Sequence, residues 1–352
     1  MPVRPEAIVA QIEGVLVGWK MSAAPARIVA DVLGWADLHG IESHGISMLT
    51  MYDEWRRAGR IDMQAAIRIV RETSVSALID GGGGLGHPAA HLAMTTTIKK
   101  AKGAGIAVVS VRHSSHYGAC GYYTAMAAAE GLIGITTTTT PGVRVAPTGG
   151  VEGKLGTDPW SFSAPGEEGR PFLLDMATTT VAYGKIRNKA NEGLPVPPGW
   201  VLDETGAPST DPRVVVGGNG FQTPLGGTAD GGSHKGYGLS MMVNILSSCL
   251  SGADLITDPA HPQRPGHLGH FFLALDPGLF RDLADMRGDV TQLCNDLRAT
   301  RPIDPAKPVM VAGDPERAIA ERRRRDGIVI PDGLKARLRT IAQDAGAIWH
   351  LN

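Results

Sequence analysis

Cysteine is scarce: Cys120, Cys249 and Cys294 are the only three in 352 residues, far apart and without a CxxC pair. That excludes a disulfide framework and leads us to expect reduced thiols in a cytoplasmic protein. Neither sign of charge is in excess, since 34 Lys and Arg face 35 Asp and Glu for a formal net charge of -1. No global field therefore draws the chain to nucleic acid or to an anionic membrane. The sequence also lacks any run near the roughly 18 apolar residues of a membrane-spanning helix. The opening stretch carries Glu6 and Glu13 and no cleavage-site pattern, so no signal peptide is expected. Arginines 322–325 have no interleaved aromatics and read as a solvated helix face. There is no GxSxG elbow for a serine hydrolase. HxxH pairs occur at His113/His116 and His267/His270, with His261 near the second. Neither has HExxH or cysteine-rich spacing, so no metal site is expected. What is left is a neutral enzyme of small metabolites.

Glycine (46) and proline (24) are abundant but spread among periodic segments, which predicts a compact fold with many tight turns. Ile8, Val9, Ile12, Val15 and Leu16 share one helical face, and Ser22 can cap a second helix bearing Ile28, Val29, Val32 and Leu33. A third helix follows the loop IESHG, so residues 1 to about 62 form a helical unit. From Ala66 to Asp80 the pattern alternates as in a half-buried strand. A glycine run then feeds a helix, and IAVVSV forms a buried strand. Downstream come the helix TAMAAAEG, the strand LIGITTTTT, short strands and turns over 140–230, an apolar helix after GSHKGYG, and the strand GHFFLALD. A charged helix, the short strand IVI and an amphipathic helix end the chain.

Gly81, Gly83 and Gly86 satisfy GxGxxG between a strand and a helix. A dinucleotide fold wants an acid at the end of the next strand, yet that strand ends in Arg112 and His113; an ordinary tight turn is the other reading. The string SSHYG, residues 114–118, sits at a strand end, where chemistry commonly collects. His116 is a candidate proton donor or acceptor there, since imidazole titrates near neutrality; a satisfied structural histidine is the alternative. Ser43 and His44 lie in the loop between two amphipathic helices. Lys235, beside Gly236 at a helix start, suits a phosphate or ribose, or else a solvent-exposed turn.

Taken in order, IESHGIS, DGGGGLGHPA, VVSVRHSSHYGACGYY, VAPTGG, KLGTDPWSFSAP, LLDMATTTVAYGKI and HKGYGLSMMV resemble the malate/L-lactate dehydrogenase family that lacks a Rossmann fold. The resemblance implies an α/β (α+β) fold: a non-Rossmann NAD(P) domain on a largely antiparallel mixed sheet, with a helical domain formed by both chain ends. It suggests units at 1–65 with 328–352, 66–125 with 231–327, and an inserted nicotinamide-binding lobe at 126–230. It also implies a homodimer, NAD or NADP as cofactor, and hydride exchange with a 2-oxo acid/2-hydroxy acid pair. A cyclic ketimine reductase and a catalytically silent small-molecule-binding homologue are the alternatives.

By motif position, His116 becomes the proton donor or acceptor, with His44 its competitor and Ser43 beside it. Thr140, Asp175, Met176, Ala177, Thr178, Lys235, Gly236 and the turn of Gly313, Asp314 and Glu316 match cofactor-binding segments, to which His44 also belongs. Tyr52 and Met48 fall at the substrate end. Met48 stands where many members carry a carboxylate-clamping arginine. Arg144 is the expected replacement charge, and Asp158, in GTDP where the family usually has GTNP, would add a carboxylate facing the substrate.

Overall fold

The computed structural model describes residues 1–167, 169–258 and 264–352; His261 of the histidine-rich stretch lies outside them. The three apolar stripes near the start form α1 (Pro5–Gly18), α2 (Ala23–Leu38) and α3 (Met48–Arg57). Ser22 sits at the N-cap of α2, but its side chain makes no capping bond. Next come β1 (Arg68–Glu72), β2 (Ser76–Asp80), α4 (Gly86–Ala104), β3 (Ile106–Ser114), α5 (Cys120–Ala129) and β4 (Ile133–Thr138). They are followed by β5 (Trp160–Ala164), β6 (Phe172–Met176), α6 (Tyr183–Glu192), β7 (Val201–Leu202), β8 (Pro208–Ser209) and β9 (Phe221–Gln222). The chain closes with α7 (His234–Asn244), β10 (Leu268–Leu275), α8 (Leu283–Arg298), α9 (Asp314–Asp326) and α10 (Asp332–Asp344).

Seven strands make one sheet in the order β1-β2-β3-β10-β4-β5-β6. Only β2 and β3 pair in parallel among the described strands, joined by α4 as a crossover. The sheet is thus mixed and largely antiparallel. Its centre is β10, buried along most of its length, with Phe272 and Ala274 packed among Val109 and Val111 of β3 and Ala90, Ala93 and Met94 of α4. A β-strand buried on both faces reads as a near-continuous apolar run, as GHFFLALD does.

A second core joins the two chain ends. Ile8, Ile12 and Leu16 of α1 and Leu49 and Tyr52 of α3 pack with Ile328, Ile330, Leu338 and Leu351. The expected strand IVI contributes only one antiparallel bridge, Val3 to Ile328. The side chains of Ile328 and Ile330 both pack into this core. Gln11, fully buried, ties the tail down by donating to Ile348 O and accepting from His350 N.

The segment 126–230 holds a small sheet, β8-β7-β9, and a core of Val181, Ile186, Val196 and Val201. It also holds β4 to β6, which are hydrogen-bonded into the central sheet, and residue 126 lies within α5. No helix among the described residues is long and apolar enough to cross a membrane.

Candidate active site

The registers place the motif residues at one end of the sheet. Ser114 pairs with Leu268, His270 with Thr138, Thr137 with Trp160, and Trp160 with Met176. The C-terminal ends of β3, β4 and β6 therefore meet the N-terminal ends of β10 and β5. From this edge leave the segment carrying His116, the segment reaching Thr140, and Ala177 with Thr178; Asp158 enters there just before β5. Topology alone gathers side chains spread over 60 residues of sequence.

The GxGxxG string occupies the expected strand-to-helix turn, but its N–H groups are used within the chain. Gly81 N donates to Arg112 O, Gly83 N to His113 O, and Gly86 N to His116 O. A Cβ on Gly86 would fall 2.2 Å from Ser115 O. The glycines let the 112–117 segment lie directly against the start of α4, which removes the donors a pyrophosphate would need. They position His116.

Around His116 three further rings gather. Its Nδ1 lies 2.6 Å from the Tyr52 hydroxyl, supplied by α3, and its ring stacks on His44 at 5.2 Å between centroids. His87, from the first turn of α4, sits 6.2 Å away edge to face. Ser43 Oγ is 2.8 Å from His44 Nδ1. Burial, then the neighbouring His44, His87 and His270, holds the His116 imidazole well below its ordinary range. Burial also lowers His44 to about 4 and His87 to about 3, while pushing the Tyr52 phenol well up. At neutral pH this is a cluster of uncharged imidazoles around an un-ionised phenol.

The Ser43–His44 turn, a short 3₁₀ segment, is clamped from below. Buried Asp37 accepts from Ile46 N at 2.7 Å, and a Cβ on Gly45 would fall 1.8 Å from its Oδ1. Glycine is required in SHG because Asp37 passes there. Burial raises the Asp37 carboxyl to about 7, against the opposing Ile46 N–H. Arg323 of α9 donates both to Asp37 O and to the Glu42 carboxylate.

The expected cofactor segments join in one hydrogen-bonded line. Thr157 N donates to Thr140 Oγ1, Thr178 N to Thr157 O, Leu225 N to Thr178 O, and Gly236 N to Leu225 O. Lys235 is exposed beside it and makes no ion pair among the described residues. Farther along, Asp175 caps α5 by accepting from Gly121 N at 2.7 Å, and burial raises its carboxyl to about 6. Nearby Glu316 adds to that rise. The turn before α9 docks on the same strand: Leu173 N donates to Ala312 O, and Gly313 adopts a φ of 95°. Asp314 is otherwise engaged, with Arg298 at 2.8 and 2.9 Å and Arg317 on its carboxylate, which hold it well below the usual range. Its role here is to fasten the turn. Met176 and Ala177 are half-buried at the end of β6.

The substrate-side candidates separate. Tyr52 belongs to the His116 cluster. Met48 opens α3 and packs on the helical core. Arg144 is exposed, with its guanidinium 4.2 Å over the Tyr183 ring, and among the described residues it makes no hydrogen bond or ion pair to His116 or His44. Asp158 is fully buried and faces α7, accepting from Ser240 at 2.6 Å and Asn244 at 2.8 Å. It does so from a left-handed backbone, φ 37°. Among the described residues, no group of three or more His, Cys, Asp or Glu is arranged to hold a metal ion. The HxxH pairs divide instead: His113 and His267 each bond an aspartate, Asp80 and Asp254, while His270 links Thr138 to Ser114.

Burial raises the Asp158 carboxyl from 3.8 to about 6, more than Ser240 and Asn244 lower it. The native state therefore binds this proton more tightly than the unfolded chain. The stability it contributes is complete below 3.8 and lost as pH rises through about 6, up to about 3 kcal/mol. Asp158→Asn keeps an oxygen for both donors and removes the titration. Urea unfolding should show a smaller loss of stability between pH 4 and pH 7 in the variant than in the parent. An identical loss in both would mean the buried carboxyl is not its source.

Sequence reasoning did not single out His87, Asp37 or Tyr183. Each matters through a contact 9 to 39 residues away that no local pattern announces: His87 with Tyr52, Asp37 with Ile46, Tyr183 with Arg144.

Comparison with known proteins shows the family. The malate/L-lactate dehydrogenase family matches residues 3–339. A malate dehydrogenase of Pyrococcus abyssi is 40% identical over 323 residues, covering 91% of this chain and 88% of its own. A malate/(S)-sulfolactate dehydrogenase of Methanothermus fervidus is 35% identical, covering 98% of each. The crystal structure of malate dehydrogenase from Entamoeba histolytica superposes with a TM-score of 0.93 at 34% identity over 99% of both chains. With the sheet, the histidine cluster and the hydrogen-bonded segments all in place, the chain belongs to the malate/L-lactate dehydrogenase family.

Proposed function

We propose that the protein passes a hydride between NAD or NADP and a small 2-hydroxy acid/2-oxo acid pair, with His116 as the residue that moves the proton. Family membership makes it an oxidoreductase acting on a CH–OH group. The observation that carries the finer reading is the neutral, buttressed imidazole of His116 at the sheet end where the cofactor-like segments meet.

The residues present fit a nicotinamide cofactor. The line from Thr140 through Thr178 to Gly236 forms a wall of backbone, and the missing side chain of Gly236 keeps it close to Leu225. Lys235 offers an ammonium at the start of α7. Asp175 has one carboxylate oxygen committed to Gly121 and leaves the other for a hydroxyl. Met176, Ala177, Gly313 and Glu316 border that end. When bound, the cofactor supplies the two-electron acceptor or donor. His116 takes the hydroxyl proton in oxidation and returns it in reduction, while His44 and Ser43 border the reacting centre. Arg144, held in place by Tyr183, is the charge we assign to the substrate carboxylate, with Met48 and Tyr52 lining the opposite side. Asp158 acts through α7, to which it is tied by Ser240 and Asn244.

The homodimer is part of this reading. Met241, Met242, Ile245 and Leu250 are exposed, while Ser240 and Val243 face inward, so α7 and the turns that follow it present an apolar side that the described residues do not cover.

Absorbance at 340 nm, with each cofactor and a panel of malate, L-lactate and their oxo acids alongside cyclic imines, tests the proposal. Turnover of the acids is expected. Turnover confined to the imines would reassign the enzyme to ketimine reduction, and no turnover with either cofactor would leave a silent binding protein.

A further inference from the structure

The Tyr52 hydroxyl touches two imidazoles, not one. It lies 2.6 Å from Nδ1 of His116 and, at a longer 3.4 Å, from Nε2 of His87. Tyr52 and His87 are fully buried, and Nδ1 of His87 has no hydrogen-bond partner among the described residues. We propose that His87, acting through Tyr52, is a positioning residue that holds His116 in the tautomer with Nδ1 protonated and Nε2 free. The inference rests on His116 being the proton-transfer residue.

The proton count leads there. To accept a hydroxyl proton at Nε2, His116 must have that nitrogen bare and its proton on Nδ1. To give the proton back, it must carry both. Nδ1 is thus protonated in each working state, and the Tyr52 oxygen must accept from it in each. A phenol that accepts must send its own proton elsewhere, and His87 Nε2 is the other hydrogen-bond partner Tyr52 has among the described residues. His87 then carries its proton on Nδ1, the atom left without a partner. Unpaired buried polar groups are uncommon and need a reason. Here the reason is direction. Reversing the chain, from His87 through Tyr52 to His116, would spare that N–H but put a proton on Nε2 of His116 and remove the base.

The pair does the work of an orienting carboxylate without its charge. A carboxylate at this position would fix the same tautomer and also stabilise the imidazolium. An uncharged phenol and imidazole fix the tautomer alone, which matches the low proton affinity that burial gives His116. The long Tyr52–His87 contact suits a free enzyme, in which catalytic hydrogen bonds often tighten only on binding substrate.

Long-range proton–nitrogen NMR of the histidine-labelled full chain reads the tautomer directly, with His116 assigned from its absence in His116→Ala. The expected wild-type state is Nδ1 protonated, Nε2 bare. In His87→Leu, Tyr52 loses its acceptor and turns to His116, so His116 should shift toward the Nε2-protonated form. The kcat for hydroxy-acid oxidation should then fall about tenfold to a hundredfold, with KM changed by less than about threefold. His87→Gln restores a carbonyl acceptor and should recover most of both. Tyr52→Phe, which removes only the hydroxyl, serves if His87→Leu does not fold, and should likewise lose the fixed tautomer. A wild-type His116 protonated on Nε2, or a tautomer indifferent to these changes, overturns the proposal. Because the NMR readout needs no substrate, it stands apart from the activity assay: an inactive chain with the expected tautomer would refute the functional reading alone.

Discussion

Replacing His116 with alanine is expected to lower kcat for hydroxy-acid oxidation by about 10²- to 10⁴-fold, the usual worth of a positioned general base. His44→Ala should cost about tenfold and fall mainly on KM, since a residue that positions substrate acts chiefly through binding. The two rings are stacked 5.2 Å apart and both are neutral at pH 7, so proton affinity does not separate them. Their supports do. His116 is fixed at 2.6 Å by a fully buried tyrosine within the helical core, at the end of a strand hydrogen-bonded on both sides. His44 is held by exposed Ser43 in a single 3₁₀ turn. A base must keep its geometry through the transition state, and only the first ring is built for that. Steady-state kinetics of both variants, with thermal unfolding to confirm that each folds, decides the matter. Activity retained in His116→Ala and lost in His44→Ala would give His44 the proton.

The legible parts of this protein are those where chemistry and local pattern coincide. The stripes of α1, α2 and α10 and the apolar run of β10 are visible because each element buries what its period predicts. The SSHYG string could be placed at a strand end for the same reason. By contrast, α6 buries only Ile186 and has no apolar stripe to read, while α8 carries Leu283, Met286, Val290, Leu293 and Leu297 at helical spacing yet buries only Cys294, so its pattern does not mark a core element. The glycine run shows a different limit. Its spacing and context suit a dinucleotide loop, and only the coordinates reveal that its N–H groups are taken by residues 112, 113 and 116. Asp158 shows a third, since the sequence reports a carboxylate but not that it faces Ser240 and Asn244. Sequence tells which groups are present near a site; which way each one points depends on packing between distant elements.

Gly236 offers the sharpest test of the cofactor wall, because α7 supplies its own control. A Cβ there would fall 2.2 Å from Leu225 N, 2.6 Å from its O and 2.7 Å from its Cα, all backbone atoms that cannot rotate aside. At Gly238, two residues on in the same helix, nothing lies within 4 Å. Helix propensity alone favours alanine over glycine by about 0.5–1 kcal/mol at either position. Gly238→Ala should therefore leave stability unchanged or slightly raised. Gly236→Ala must push the first turn of α7 away from Leu225, breaking the link from Gly236 N to Leu225 O and disturbing the next one, to Thr178. The expected cost is about 3 kcal/mol, the upper end for overpacking a well-packed site. Because Lys235 and Thr178 sit at the two ends of that break, cofactor affinity should fall by more than about tenfold, or about 1.4 kcal/mol of binding. Thermal unfolding and fluorescence titration with NADH and NADPH would measure the two effects separately. Gly236→Ala binding both cofactors as the parent does, while clearly destabilised, would mean that this wall supports the fold without touching the cofactor, and the assignment of Lys235 and Thr178 would fall with it.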